Sequence, residues 1–176
     1  MKTVLIGAIA IYRSVIKNPQ SIVEEIKKSY GDLWEDSLLY GCNKNSNIRT
    51  SSEIKNIPED INSNLDSDFK QAVSDYVCRF NAPISSGSSA YILLKYEVGQ
   101  EFKLHYDDSF ATPRRISAVG FLNDDYGGGQ LSFDLMNFTY EPVAGDIVVF
   151  PSNFPYMHAA RPVIEGTKYS VVNWWN

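Results

Sequence analysis

The rhythm of hydrophobic and polar positions changes once along this 176-residue chain, near residue 90. The opening stretch M-K-T-V-L-I-G-A-I-A-I-Y is almost continuously apolar and runs on into I-Y-R-S-V-I, which predicts one extended strand. Its lysine, apolar run and Ala-x-Ala also resemble a short secretory signal. The unbroken continuation fits a first strand better, and with it a cytoplasmic protein. Asn18-Pro19 supplies an N-cap and N1 pair, and residues 19 to 29 (P-Q-S-I-V-E-E-I-K-K-S) carry apolar residues at helical spacing with charges outside. L-L-Y-G-C is strand-like. From Asn43 to Asp66 the chain turns polar, rich in Ser and Asn, with Pro58 inside it; so long a loop in a compact domain predicts a lid, a binding loop or a disordered segment. D-F-K-Q-A-V-S-D-Y-V-C-R-F (68–80) predicts a second helix, and I-S-S-G-S-S ends it.

Beyond residue 90 short apolar runs alternate with turn signals: V-G-Q, A-T-P, D-D-Y-G-G-G, P-V-A-G-D and E-G-T. They predict strands at Tyr91–Glu97, Glu101–Asp107, Arg115–Asn123, Gln130–Asp134, Asp146–Pro151, Met157–Val163 and Lys168–Trp175. Many short strands after two helices make an α+β, mainly β chain: an antiparallel sandwich or barrel with helices over one face. Residues 1–176 read as a single domain, with an N-terminal strand and helices in 1–89 and a β core in 90–176.

Composition narrows the function. Apolar residues make up 44% and aromatics 13%, enough for a packed core. The formal net charge of -5 disfavours nucleic acid and anionic membrane, which need a basic face. Lys27-Lys28 and Arg114-Arg115 read as solvated edges. Cys42 and Cys78 are too few and too far apart for a disulfide framework or thiolate metal site, and read as reduced, partly buried thiols. No apolar run approaches the length of a membrane helix.

The chemistry-bearing segment is F-K-L-H-Y-D-D-S, with one of the two histidines. Alternation along a strand places His105 and Asp107 on one side and sends Asp108 away. The other histidine, His158 in P-Y-M-H-A-A-R-P, can complete a 2-His-1-carboxylate set, which occupies three positions on iron(II) and leaves others open. The same ligands suit a catalytic zinc. If the set is real, its ligand atoms should converge to ~3 Å of one another around one ion.

Lys168 lies ten residues beyond His158. If Glu165-Gly166 turns a hairpin, Lys168 sits opposite Val163, about five strand residues or ~16 Å from His158. A short dicarboxylate could then chelate the metal at one end and meet the ammonium at the other; a lysine inside a barrel needs such an anion. Gly127-Gly128-Gly129 precedes no helix, so it reads as a turn needing positive φ and not as a phosphate loop.

The segments Y-E-V-G-Q-E-F-K-L-H-Y-D, R-R-I-S-A-V-G-F-L-N-D-D-Y-G-G-G-Q-L-S-F, P-V-A-G-D-I-V-V-F-P-S and H-A-A-R-P-V-I-E-G-T-K-Y-S-V-V-N-W resemble the catalytic core of the prolyl 4-hydroxylase-like 2-oxoglutarate/Fe(II) dioxygenases. The resemblance runs from Tyr91 to Trp175. It implies a double-stranded β-helix (jelly-roll) core with supporting N-terminal helices. By position, His105, Asp107 and His158 match the iron ligands and catalytic set, and Lys168 the residue that binds the distal carboxylate of 2-oxoglutarate. Tyr96 matches a cosubstrate-holding tyrosine. Ser117 stands where the family often has threonine near that carboxylate, and Trp174 matches an aromatic beside the pocket. The implied cofactors are Fe(II), 2-oxoglutarate and O2, with ascorbate as an auxiliary reductant, and the implied reaction is hydroxylation of a C–H bond with release of succinate and CO2.

For substrate, N-I-R-T-S-S (47–52) resembles an Arg-Thr-Ser-Ser segment of peptide-binding prolyl hydroxylases, which implies that Arg49 and Ser51 contact a proline-containing peptide or protein. A small molecule or free amino acid is the alternative substrate, and a zinc-binding jelly-roll without oxygenase activity the alternative class. A nucleobase demethylase fits the acidic charge poorly.

Overall fold

The first apolar stretch folds back on itself. Lys2–Ile6 (β1) and Ile9–Arg13 (β2) pair antiparallel, Val4 opposite Ile11, around Gly7 at φ +57°. The expected single strand is therefore a hairpin, because Gly7 adopts a conformation that the residues around it disfavour. The structure is a computed structural model that describes residues 2–38, 45–55, 57–84, 88–110 and 113–176. The remaining strands are Glu35–Asp36 (β3), Ser52–Ile54 (β4), Ile92–Tyr96 (β5), Phe102–His105 (β6), Ile116–Phe121 (β7), Gly127–Gly128 (β8), Leu131–Phe133 (β9), Phe138–Tyr140 (β10), Ile147–Pro151 (β11), His158–Ala160 (β12), Val163–Glu165 (β13) and Lys168–Trp175 (β14). Pro19–Ser29 (α1) and Glu59–Phe80 (α2) are the α-helices.

The strands form a jelly-roll. A larger sheet runs β1-β2-β11-β7-β14-β5-β4-β3, a smaller one β10-β9-β12-β6, and β13 pairs with β8 in a separate ladder. Strands from both halves of the chain thus share the larger sheet. Alternation along its strands separates two cores. Leu93, Ile116, Ala118, Ile147, Val149, Tyr169, Val171 and Trp175 face the helices. Tyr96, Phe121, Val148, Phe150 and Val172 face the interior between the sheets. The candidate site lies on that inner face.

Helix α2 begins nine residues before the expected start at Asp68. Within the polar stretch, Ile61 and Leu65 continue the apolar stripe of Phe69, Ala72, Val73 and Tyr76, while Ser and Asn occupy the outer face. Glu59 and Asp60 sit in the first turn, where the helix dipole favours them. With β4 paired to β5, the expected loop from Asn43 to Asp66 is largely structured. The helix docks closely on β7: a Cβ at Gly120 would stand 2.8 Å from the Phe69 ring and 2.7 Å from Ile16.

Three further expectations change. Met157–Val163 is not one strand: β12 joins the smaller sheet, and β13 pairs with β8. Glu165-Gly166 therefore does not turn a β13–β14 hairpin; β14 crosses to the larger sheet, where Lys168 lies opposite Tyr96. Cys78 is exposed, being on the face of α2 opposite the apolar stripe. Cys42 and most of L-L-Y-G-C lie outside the described residues.

Candidate active site

β6 and β12 set the two histidines face to face. His158 lies opposite His105, and Ala160 opposite Phe102, so three residue steps on β6 span two on β12. This β-bulge turns Phe102 and His105 to one side, although strict alternation would separate them. Their rings stack with centroids 3.5 Å apart and planes 11° from parallel. Each histidine presents Nδ1 to a backbone carbonyl, His105 to Lys103 at 2.8 Å and His158 to Tyr156 at 3.1 Å. A carbonyl only accepts, so the proton sits on Nδ1 and the Nε2 lone pair is free for a metal.

Both Nε2 atoms face one carboxylate. His105 Nε2 is 3.5 Å from Asp107 Oδ1, and His158 Nε2 is 3.7 Å from Asp107 Oδ2. All three ligand atoms fall within 4.8 Å of one another, a set able to hold one ion and slightly wider than the ~3 Å expected. Asp108 leaves the set as alternation predicts, accepting a hydrogen bond from the Arg114 backbone N–H at 3.0 Å. Asp107 is anchored twice. The Ser117 hydroxyl donates to Oδ2 at 2.6 Å, and the Asp107 backbone N–H donates to the Ser152 carbonyl. Ser117 and Ser152 join through their hydroxyls at 2.7 Å.

The electrostatics suit a cation. Burial would raise the Asp107 carboxyl, but His158, His105 and the Ser117 hydroxyl more than offset it and hold the group well below the usual carboxylate range. Burial, with His105 alongside, pushes His158 down to about 4, so its imidazole is neutral and ligand-competent at neutral pH.

Lys168 is the second element. It is 2% exposed, points into the interior, and donates to the Gly129 carbonyl at 2.6 Å. Its Nζ lies 5.3 Å from the Tyr96 ring centroid and 5.4 Å from that of Phe121. No carboxylate meets it among the described residues, and burial pulls the amine down to about 7. A buried ammonium with one carbonyl partner is undersatisfied, and an anionic ligand end would complete it. Gly128 and Gly129 have the expected positive φ, at +75° and +66°. They do more than turn: a Cβ at Gly129 would stand 3.1 Å from Lys168 Cδ and 2.8 Å from the Tyr126 ring.

Of the other expected residues, Tyr96 is buried beside Lys168; burial raises its hydroxyl, with Arg49 and Ser51 opposing. Ser117 is displaced from its expected place. It binds Asp107, and it lies opposite Trp174, six residues or about 20 Å along β14 from Lys168. Ser51 is also misread: it is 2% exposed and bonds the Ser37 hydroxyl at 2.8 Å, so it does not present itself to a peptide. Arg49 is held inward by Ser51 at 2.9 Å and Glu53 at 3.3 Å. Trp174 is half-buried, packed on the Tyr96 cluster. Over its ring, 3.7 Å from the centroid, lies Arg114, which also donates to the Asp107 carbonyl at 3.4 Å. Arg114 is thus not the solvated edge that the sequence predicts, but part of the site. Ser152, in F-P-S, carried no sequence signal of its partnership with Asp107.

Comparison with known proteins agrees with this geometry. Residues 91–176 match the sequence model of the 2OG-Fe(II) oxygenase superfamily. A protein of Acanthamoeba polyphaga mimivirus carrying a prolyl 4-hydroxylase name is 26% identical over 182 residues, covering 90% of this chain and 69% of that protein. The viral collagen prolyl hydroxylase of Paramecium Bursaria Chlorella virus-1, solved with 2OG, superposes with a TM-score of 0.71 at 17% identity, covering 96% of this chain and 95% of that one. A Trichoplax adhaerens prolyl hydroxylase, solved with a hypoxia inducible factor oxygen degradation domain peptide fragment, superposes with a TM-score of 0.76 at 16% identity, over 96% of this chain and 83% of that one.

Proposed function

We propose that this chain, whose residues 91–176 match the 2OG-Fe(II) oxygenase superfamily, is a prolyl 4-hydroxylase-like dioxygenase that hydroxylates prolyl residues within a peptide or protein. His105, Asp107 and His158 hold iron(II), and Lys168 with Tyr96 receives the distal carboxylate of 2-oxoglutarate. When bound, iron(II), 2-oxoglutarate and O2 supply an oxidant for a C–H bond, with succinate and CO2 as co-products. The protein's own share is positional. The Nδ1–carbonyl bonds fix both imidazoles, Ser117 and Ser152 hold the carboxylate, and the Lys168 ammonium, beside the Tyr96 and Phe121 rings, orients the cosubstrate.

One observation carries the prolyl reading: the Arg114 guanidinium stacked on Trp174 beside the Asp107 carbonyl. A pyrrolidine ring packs on such a flat face, and peptide carbonyls accept from the guanidinium. Around it, the segment carrying Asp107 leaves Tyr106 46% exposed and Phe110 wholly exposed, which suits an extended partner better than an enclosed small molecule. The mimivirus relative's name and the peptide bound to the Trichoplax protein support the same reading.

The test is succinate release from 2-oxoglutarate with Fe(II), comparing proline-containing peptides with free proline. Peptide-stimulated release is expected. Equal or greater stimulation by free proline would replace this reading with a free amino acid dioxygenase.

A further inference from the structure

Arg49 is a cation with its side chain 11% exposed, whose place the proposed reaction does not explain. It sits in a segment bound to the free edge of β6: the Thr50 N–H donates to the Glu101 carbonyl at 3.0 Å, the Lys103 N–H donates to the Ile48 carbonyl at 2.9 Å, and Arg49 bridges Phe102. β6 is the outer strand of the smaller sheet, with β12 on its other side. A metal ligand on an outer strand, next to a bulge, is held by fewer ladder bonds than one on a central strand. Residues 48–50 supply the missing side.

The side chains repeat this arrangement. The Arg49 guanidinium lies 4.7 Å from the Phe102 ring centroid, and Phe102 stacks on His105 at 3.5 Å. Arg49 is itself fixed by Ser51 Oγ at 2.9 Å, Glu53 at 3.3 Å and the Leu38 carbonyl at 3.3 Å. Three anchors leave the guanidinium little freedom, so the ring it covers is held, and that ring fixes the plane of the imidazole. His105 also meets the Lys103 carbonyl through Nδ1, and Lys103 is the residue that Ile48 holds. Backbone and side-chain routes from this segment thus converge on one histidine.

We infer that Arg49 is a positioning residue for the metal ligand His105, acting through the Phe102 ring, and not a peptide contact. This rests on the metal reading of the triad and is independent of the substrate. Once a metal is bound, the imidazole becomes electron-poor and the Phe102 face stabilises it, so the stack also favours the loaded state.

The test titrates Co(II) into the protein without 2-oxoglutarate or peptide, following the visible d–d bands, for wild type, Arg49→Met, Arg49→Lys and Phe102→Leu. Thermal unfolding of each metal-free variant verifies folding. Partners that orient a ligand histidine cost about 10–100-fold in metal affinity when removed. Arg49→Met and Phe102→Leu are expected to weaken Co(II) about tenfold, with altered band positions and less than about twofold change in peptide KM. Arg49→Lys, which keeps the charge but not the planar fork, is expected to lose less and carries the test if Arg49→Met does not fold. Wild-type Co(II) affinity and spectrum in the Arg49 variants, with a raised peptide KM, overturn the inference and make Arg49 a substrate contact. Loss in the Arg49 variants but not in Phe102→Leu overturns the relay through the ring. Failure of the wild type to bind Co(II) overturns the metal reading, and this inference with it.

Discussion

At the residue scale, two buried groups of opposite sign divide the work. Asp107 is compensated inside the protein by two imidazoles and Ser117, whereas among the described residues Lys168 has only the Gly129 carbonyl as a hydrogen-bond partner. The difference makes Lys168 the group that waits for a ligand. Lys168→Ala is expected to raise the KM for 2-oxoglutarate about 10–100-fold, as for a lost charge-assisted hydrogen bond, and to leave Co(II) affinity unchanged. Equal loss of both would count against its role. The pH dependence has a definite sign. With its pKa lowered to about 7, the free amine is largely neutral above that pH, while a carboxylate ligand requires the ammonium. Affinity for 2-oxoglutarate should be flat below about pH 7 and fall by up to about tenfold per unit above it, and Lys168→Arg should remove the slope. In the ligand-free protein, an unfolded lysine near 10.4 keeps the proton that the folded one gives up, so this group's contribution to stability rises between about pH 7 and about 10.4. At this scale the sequence was most informative. His105, Asp107, His158 and Lys168 are residues whose chemistry demands partners. Ser117 and Ser152 were not legible, because a buried serine looks the same whether it binds a ligand carboxylate or a neighbouring backbone.

At the element scale, the site depends on two irregularities. The β6 bulge stacks Phe102 on His105, and no period-2 or period-3.6 pattern encodes that pairing. The crossing at Gly166 sends β14 away from β13, so Lys168 reaches the interior by pairing with Tyr96 and not by the hairpin that E-G-T suggested. Long periodic elements were legible: Pro19–Ser29 and Lys168–Trp175 have the predicted bounds. The start of α2 was hidden because its stripe, Ile61 and Leu65, lies among serines and asparagines. The close approach of α2 to the sheet is testable. Gly120→Val should force apart Phe69 and Ile16 and cost about 1–3 kcal/mol in urea unfolding, with the metal affinity of the folded fraction unchanged. A neutral effect would mean that α2 is not held against β7 at that distance.

At the scale of the whole molecule, the larger sheet has the helices behind it and the candidate site in front. It takes β1 to β4 from the first half of the chain and β5, β7, β11 and β14 from the second. Ligands that bind only the folded site must stabilise the whole sandwich: at about 100 times the dissociation constant, a metal adds about 2.7 kcal/mol. Chelation should therefore lower the thermal midpoint of the iron-loaded protein, while leaving Asp107→Ala unmoved. The fold class followed from many short strands after two helices, but the interleaving of the halves did not, since strand order in a sheet is fixed by long-range pairing. The most direct measurement is mass spectrometry of a proline-containing peptide incubated with the protein, Fe(II), 2-oxoglutarate and O2. The expected result is one added oxygen on a prolyl residue, matched by one succinate and abolished in Asp107→Ala. Succinate released without peptide modification, or oxygen placed on a residue other than proline, would contradict the proposed function.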